Sequence, residues 1–297
     1  MQYPKWIIDE VRRNKINLRG TCASGTAGDL HAKAMHTVCD EAKCPNKGKC
    51  FSEGEATFMI LGDICTRKCA FCAVAKDRPP LPPDPEEPRR AAELCRKWNL
   101  KYVVYTSPTR DDLPDGGAWQ FAETTRLIKQ YCPGIRTEPL IPDFAGKETA
   151  LKIVLASSPD VLGHNIEMPA SLYGEARKGA QYERSLKVLR TAKELRPDIL
   201  TKSAIILGLG EKEDDLLRTM RDLVSNKCDL LVLGQYLSPS NQHHIVKKYY
   251  TPEEFAELKK IALSLGFKAV MSQPLARSSF MAGALYREAI GQLAVGN

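Results

Sequence analysis

Six of the ten cysteines in this 297-residue chain fall between residues 39 and 72, in two sets of three: Cys39-x4-Cys44-x5-Cys50 and Cys65-x3-Cys69-x2-Cys72. Each set offers three thiolates. A structural zinc site takes four tetrahedral ligands, whereas an iron-sulfur cube can be held by three cysteines with its fourth iron left to another ligand. Three plus three favours two such cubes, each with one unusual corner; two zinc sites completed by His31, His36 or a distant side chain are the alternative. Disulfides are the weaker reading, because 43% hydrophobic residues suffice for a core without covalent staples, and crowded thiols in a reducing compartment signify metal or thiol chemistry. The other four, Cys22, Cys95, Cys132 and Cys228, are scattered and read as free thiols.

The elements that must position these thiols are set by apolar periodicity. Strands are expected at residues 56–61, 102–105, 135–140, 161–164, 203–207 and 230–233. Helices are expected at 89–98, 119–131, 182–195, 214–224 and 252–265, the last opened by Thr251-Pro252-Glu253-Glu254, an N-cap followed by proline at the first helical position. This alternation predicts an α/β fold around a parallel sheet, as an open doubly wound sheet or a partial barrel. No Gly-x-Gly-x-x-Gly comes after the first strand. Gly62-Asp63-Ile64-Cys65 stands there instead, so thiols occupy the place where a parallel α/β protein puts its chemistry, beyond the carboxyl ends of the strands. The segment Arg78-Pro79-Pro80-Leu81-Pro82-Pro83-Asp84-Pro85 reads as a stiff loop.

The net charge of +7, from 43 Lys+Arg against 36 Asp+Glu, is spread along the chain as a solvated surface. No basic run is interleaved with aromatics, so no nucleic-acid partner is expected, and the excess suits an acidic partner protein. No run reaches the roughly 18 apolar residues of a membrane span, and the first residues lack a secretion signal, which predicts a cytoplasmic protein away from membranes.

Cys65-Thr66-Arg67-Lys68-Cys69-Ala70-Phe71-Cys72, directly after the first strand, resembles the cluster loop of the radical S-adenosylmethionine (SAM) enzymes. The resemblance narrows to the lipoyl synthase family through Cys39-x4-Cys44-x5-Cys50 upstream and Arg277-Ser278-Ser279-Phe280 near the end. Further matches are Arg110-Asp111-Asp112-Leu113-Pro114-Asp115-Gly116-Gly117, Pro142-Asp143-Phe144, His164-Asn165-Ile166-Glu167, Gly208-Leu209-Gly210-Glu211 and Gly234-Gln235-Tyr236-Leu237, so coverage runs from about residue 35 to 290. The chain departs from the family pattern in two places: Pro108-Thr109 stand where Val-Asp is expected, and Phe280 where the terminal motif closes with Tyr.

The resemblance implies a partial (β/α)6 barrel over residues 55–266, with extensions 1–54 and 267–297 covering its mouth. It implies a sulfurtransferase that inserts sulfur at C6 and C8 of a protein-bound octanoyl-lysine. Two 4Fe-4S clusters and SAM are the implied cofactors. Cys65, Cys69 and Cys72 would hold the SAM-bound cluster, and Cys39, Cys44, Cys50 and Ser279 an auxiliary one. SAM contacts are expected from Phe71, Thr106, Ser107, Glu138, Asn165 and Lys202, with the ribose or Arg136 as the partner of Glu138. A Ser278-Ser279 cap on a helix through residues 281–289 is the plainer use of the serine pair. Carbons 6 and 8 bear neither acidic proton nor leaving group, so no general acid or base is assigned. Implied partners are an octanoylated lipoyl-carrier domain or glycine-cleavage H-type protein, a ferredoxin or flavodoxin as electron donor, and an iron-sulfur carrier. Rival readings are a methylthiolating or biotin-forming radical enzyme and a zinc-stabilised binding module.

Overall fold

The computed structural model describes residues 3–16, 21–41, 44–52, 57–76 and 78–295; Ala56, at the start of the first expected strand, lies outside them, as does the side chain of Cys22. The chain opens with α1 (Lys5–Ile16), α2 (Thr21–Ala32), β1 (His36–Thr37), α3 (Val38–Glu41) and α4 (Lys47–Ser52). The alternating part begins with β2 (Thr57–Met59), α5 (Glu87–Lys97), β3 (Tyr102–Thr106), α6 (Ala118–Tyr131), β4 (Arg136–Leu140), α7 (Glu148–Ala156) and β5 (Val161–Gly163). It continues through α8 (Tyr173–Ala176), α9 (Tyr182–Leu195), β6 (Leu200–Leu207), α10 (Glu213–Ser225), β7 (Leu230–Gln235), α11 (Pro252–Leu265), β8 (Ala269–Ser272) and α12 (Ala282–Val295).

The strands form one sheet in sequence order, parallel from β2 to β8, with β1 antiparallel on the β2 edge. This is an open, partial parallel barrel. All six expected strands are present. The seventh parallel strand, β8, was not among those expected; it is fixed by tertiary pairing with β7. The sheet therefore continues past residue 266.

Side-chain alternation divides each strand between two cores. On the outer face of the first strands, Val103 and Tyr105 pack with Phe121, Ala92 and Val154 from the surrounding helices; farther round, Leu231 and Leu233 pack with Leu216, Met220 and Phe255. On the inner face, Leu200, Ala204 and Val232 meet Phe280, Leu285 and Ala289, so the C-terminal segment fills the barrel interior, and α12 touches both β3 and β8. Thr251 closes a capping box with Glu254, and Gly266 ends α11 in a left-handed turn, as the sequence of that segment predicts.

Glu138 on β4 and Lys202 on β6 face each other across this interior, Nζ to Oε1 2.5 Å, both about 1% exposed, and Tyr102 on β3 donates its hydroxyl to the second carboxylate oxygen. Breaking such a pair strands a buried charge and costs about 3–5 kcal/mol. In urea unfolding of the apoprotein, Lys202→Met is expected to lose about that much, and adding Glu138→Gln to recover part of it. Equal losses in the single and double variants would show that the two do not act as a pair.

Candidate active site at the barrel mouth

Beyond β2 the chain leaves the sheet through Leu61 and Gly62, both at positive φ. The Leu61 N–H donates to the buried carboxylate of Glu87 (2.7 Å), and its carbonyl accepts from the buried Arg110 guanidinium (3.0 Å). Gly117, at φ +89°, fits against Leu61 because it lacks a side chain: a Cβ there would lie 2.2 Å from Leu61 Cδ1. Asp115 accepts from the N–H groups of Gly117 and Trp119 and so starts α6. The Arg110–Gly117 motif is therefore a clamp on the exit of the first parallel strand.

The cysteine loop beyond this exit is held from several sides. Arg67, 8% exposed and lying between two of the cysteines, donates to Asp111 (2.8 and 3.0 Å) and to Asp143 (2.6 and 3.0 Å), residues of the loops after β3 and β4. The Thr66 amide and hydroxyl both donate to the Thr109 carbonyl. That bond uses backbone, so the departure at Pro108-Thr109 leaves it intact. Lys76 Nζ closes the loop on the carbonyls of Cys69 and Cys72, and the Ala70 N–H donates to Ala176 at the end of α8.

The three thiols sit close enough for each to act on the others. Burial raises the pKa of Cys69, and burial with some repulsion from its two companions raises that of Cys72 to about 11. Backbone N–H groups point at the sulfurs, Arg67 at Cys65 (3.4 Å) and Val74 at Cys72, and the charges of Arg177 and Lys76 favour thiolate. Among the described residues no three His, Cys, Asp or Glu side chains are gathered around a point that would hold a single metal ion. Amide donors, neighbouring cations and three mutually interacting thiols make a donor set suited to an anionic iron-sulfur cluster, which would displace the thiol protons on binding.

The loop opens onto a cavity of about 840 Å³. Its walls include Phe71 and Cys72 from the loop, Asn165 and Glu167 after β5, Tyr3 and Ile7 from the N-terminal segment, and Cys39, Cys44, Ser278 and Ser279. Both cysteine sets thus reach one chamber. A second, smaller cavity gathers Cys39, Cys44, Cys50 and Ser279, with Arg277, Phe280 and Tyr102 around them; Ser278 is not among its walls. Burial raises Cys39 to about 12, Cys44 adding to the rise, while a backbone N–H from Thr57 opposes it. Three thiols and one hydroxyl around one space match the donor set expected for an auxiliary cluster.

The two extensions that bring these donors together are tied to each other and to the barrel. The Asn46 side chain donates to the Leu275 carbonyl (2.6 Å), and Lys49 lies over the Phe280 ring, 5.4 Å from its centroid. The C-terminal segment crosses β7 at Gly234, where any Cβ would stand 2.1 Å from the Ala276 carbonyl oxygen.

The expected SAM contacts take different places. Phe71 and Asn165 line the large cavity. The Ser107 hydroxyl is buried without a hydrogen-bond partner, and the Thr106 hydroxyl donates to the Leu140 carbonyl. Glu138 and Lys202 engage each other inside the barrel and are not among the residues that line either cavity; both alternate onto the inner face of the sheet. Arg136, the suggested partner of Glu138, turns outward to Asp160.

Other side chains had no role assigned from sequence. Glu167 is held at φ +66° by bridging to β6, its carboxyl on the cavity wall and its pKa raised by burial. Arg177 donates to the carbonyls of Asn165 and Ile166 and lies near Cys69 and Glu167. His164 donates its Nδ1–H to the Ile141 carbonyl, leaves Nε2 buried and unpartnered, and is kept neutral by burial, which lowers its pKa to about 4. Glu211 instead accepts three N–H groups of its own turn, Gly208 to Gly210, and is a structural residue.

This fold with a three-cysteine loop beyond its first parallel strand is that of a radical SAM enzyme, and residues 59–223, more than half of the chain, match the family model described as the radical SAM superfamily. The crystal structure of HydG, a maturase of the FeFe-hydrogenase, aligns with a TM-score of 0.56 at 13% identity over 97% of this chain and 70% of that one, a likeness of fold. The lipoyl synthase of Aquifex aeolicus is 51% identical over 85% of this chain and 91% of its own, and that of Caldanaerobacter subterraneus 52% identical over 94% and 95%. The chain belongs to the lipoyl synthase family.

Burial acts to raise the pKa of Asp143, but the hydrogen bonds and charge of Arg67 outweigh it and hold the carboxyl at about 2. A carboxylate depressed from about 4 to that value stabilises the fold fully above the unfolded pKa and loses the contribution as pH falls through the folded one. Asp143→Asn apoprotein is expected to be about 2 kcal/mol less stable at pH 7, with the gap to the parent closing between about pH 4 and 2 in denaturant titrations. A gap of constant size down to pH 2 would exclude the ion pair as its origin.

Proposed function

We propose that the chain inserts two sulfur atoms, at C6 and C8, into an octanoyl chain carried on a lysine of a partner protein. The observation that supports this reading is that Cys72 of one set and Cys39 and Cys44 of the other line one cavity of about 840 Å³. Sulfur must be held within reach of the carbon from which hydrogen is removed.

Cys65, Cys69 and Cys72 would hold a cluster that, with SAM, supplies a 5′-deoxyadenosyl radical. Asn165, Glu167 and Phe71 stand on the wall where SAM would bind, and Ser107 has a free hydroxyl. Cys39, Cys44, Cys50 and Ser279 would hold the auxiliary 4Fe-4S cluster, read here as the sulfur source. Serine oxygen is a harder ligand than thiolate and suits the iron that leaves first. The roles left to the protein are to bind, orient and exclude water: Ile7, Ile8 and Val232 give the cavity an apolar lining suited to an alkyl chain. Extensions 1–54 and 267–297 would act as the covers that carry the auxiliary donors over the barrel, 55–266.

The carrier would be an octanoylated lipoyl domain or glycine-cleavage H-type protein, with a ferredoxin or flavodoxin as donor and an iron-sulfur carrier to rebuild the auxiliary cluster. The cytoplasm is the compartment in which such partners and reduced thiols coexist. Among the described residues no helix is long and apolar enough to cross a membrane.

Anaerobically purified protein is expected to contain about eight iron and eight sulfide per chain, and to convert an octanoyl-lysyl peptide to its lipoyl form with SAM and reductant. Zinc without sulfide, or SAM cleavage with no sulfur in the peptide, would overturn the proposal. Ser279→Ala is expected to abolish sulfur insertion while SAM cleavage persists, and Ser278→Ala to retain both; the reverse pattern would reassign the ligand.

A further inference from the structure

Arg277 is a side chain of the terminal motif for which neither the iron-binding reading nor the packing gives a use. It lines both cavities, beside Ser279 in each and beside Cys39 and Cys44. Its surroundings are desolvating, and the interaction that opposes this is with Cys44. Its guanidinium donates to the Ala276 carbonyl (2.7 Å) and lies near Gly234, 3.5 Å from where a Cβ would be. Arg277 is half-buried, and among the described residues it has no ion pair with a carboxylate, unlike the buried Arg67 and Arg110, which hold two carboxylates and one. A guanidinium partly withdrawn from water on a cavity wall, with no counter-ion, is placed to receive an anion.

We infer that Arg277 is the counter-ion of the auxiliary cluster, setting its charge balance and reduction potential from outside the ligand set. The inference rests on the auxiliary-cluster reading above. A 4Fe-4S core bound by three thiolates and one serine alkoxide is anionic, and one-electron reduction adds a further negative charge. A fixed cation beside it favours the reduced form, since net charge is among the determinants of cluster potential. Lysine keeps the charge and loses the planar fork; glutamine keeps polarity and loses the charge.

The test uses the full chain carrying Cys65→Ala, Cys69→Ala and Cys72→Ala, which leaves only the auxiliary donors, and reads its potential by redox titration followed by electron paramagnetic resonance. This parent is expected to hold about four iron. Adding Arg277→Gln is expected to favour the oxidised cluster roughly tenfold, a shift of about 59 mV to more negative potential for one electron, while Arg277→Lys stays near the parent. An unchanged potential in Arg277→Gln overturns the inference and leaves the cluster reading standing; a parent without iron overturns both. Should Arg277→Gln fold, by circular dichroism, but lose its iron, retention by Arg277→Lys supports the inference and equal loss overturns it.

Discussion

The architecture of the site depends on one buried guanidinium. Arg67 lies inside the cysteine loop, with its donors divided between Asp111 and Asp143. Each carboxylate comes from a different strand-to-helix connection, so the loop after β2 cannot move without pulling on those after β3 and β4. Asp143 also accepts from Arg184 at 3.3 Å, which extends the lock to α9. A pair sealed in this way holds its geometry because either partner alone would be an uncompensated buried charge. Three thiols that must face a common point need a loop of that rigidity, and the parallel sheet supplies it by delivering every connecting loop to one rim.

The second set of donors is arranged differently. Cys39 and Cys50 come from short helices of the N-terminal segment, Cys44 from the connection between them, and Ser279 from a turn before α12. They are brought together by contacts between the two ends of the chain: Asn46 with Leu275, Lys49 with Phe280, and a backbone crossing that only Gly234 admits. The barrel interior contributes Tyr102 and Val104 beneath them. The first site is therefore fixed by ion pairs within the barrel rim, the second by packing of two extensions.

Much of this was legible in the sequence, for physical reasons. Most of the six expected strands carry apolar runs, β4 with its Arg136, Glu138 and Pro139 being the exception, and α9 and α11 begin and end where periodicity places them, α11 with a capping box at its start. The cysteines announce themselves by type and spacing. Ser279 was expected only through resemblance; it lines both cavities, whereas Ser278 lines the larger one alone. The pairing of Glu138 with Lys202 was not foreseen because strand alternation tells which face a residue takes, not which residue of a distant strand it meets. Glu167 and Arg177 had no assigned role because a left-handed non-glycine residue and a long-range carbonyl partner leave no local pattern. The seventh parallel strand is short and acquires its identity from β7 alone.

The central claim is that two separately built three-thiol sites open on one chamber, with Ser279 completing the second. Iron anomalous scattering from crystals of the anaerobically reconstituted protein tests it most directly. Two iron clusters are expected, one against Cys65, Cys69 and Cys72 and one against Cys39, Cys44 and Cys50 with the Ser279 oxygen on its fourth iron, both facing the same cavity. Iron at one set only, or a second cluster ligated without Ser279, would contradict it.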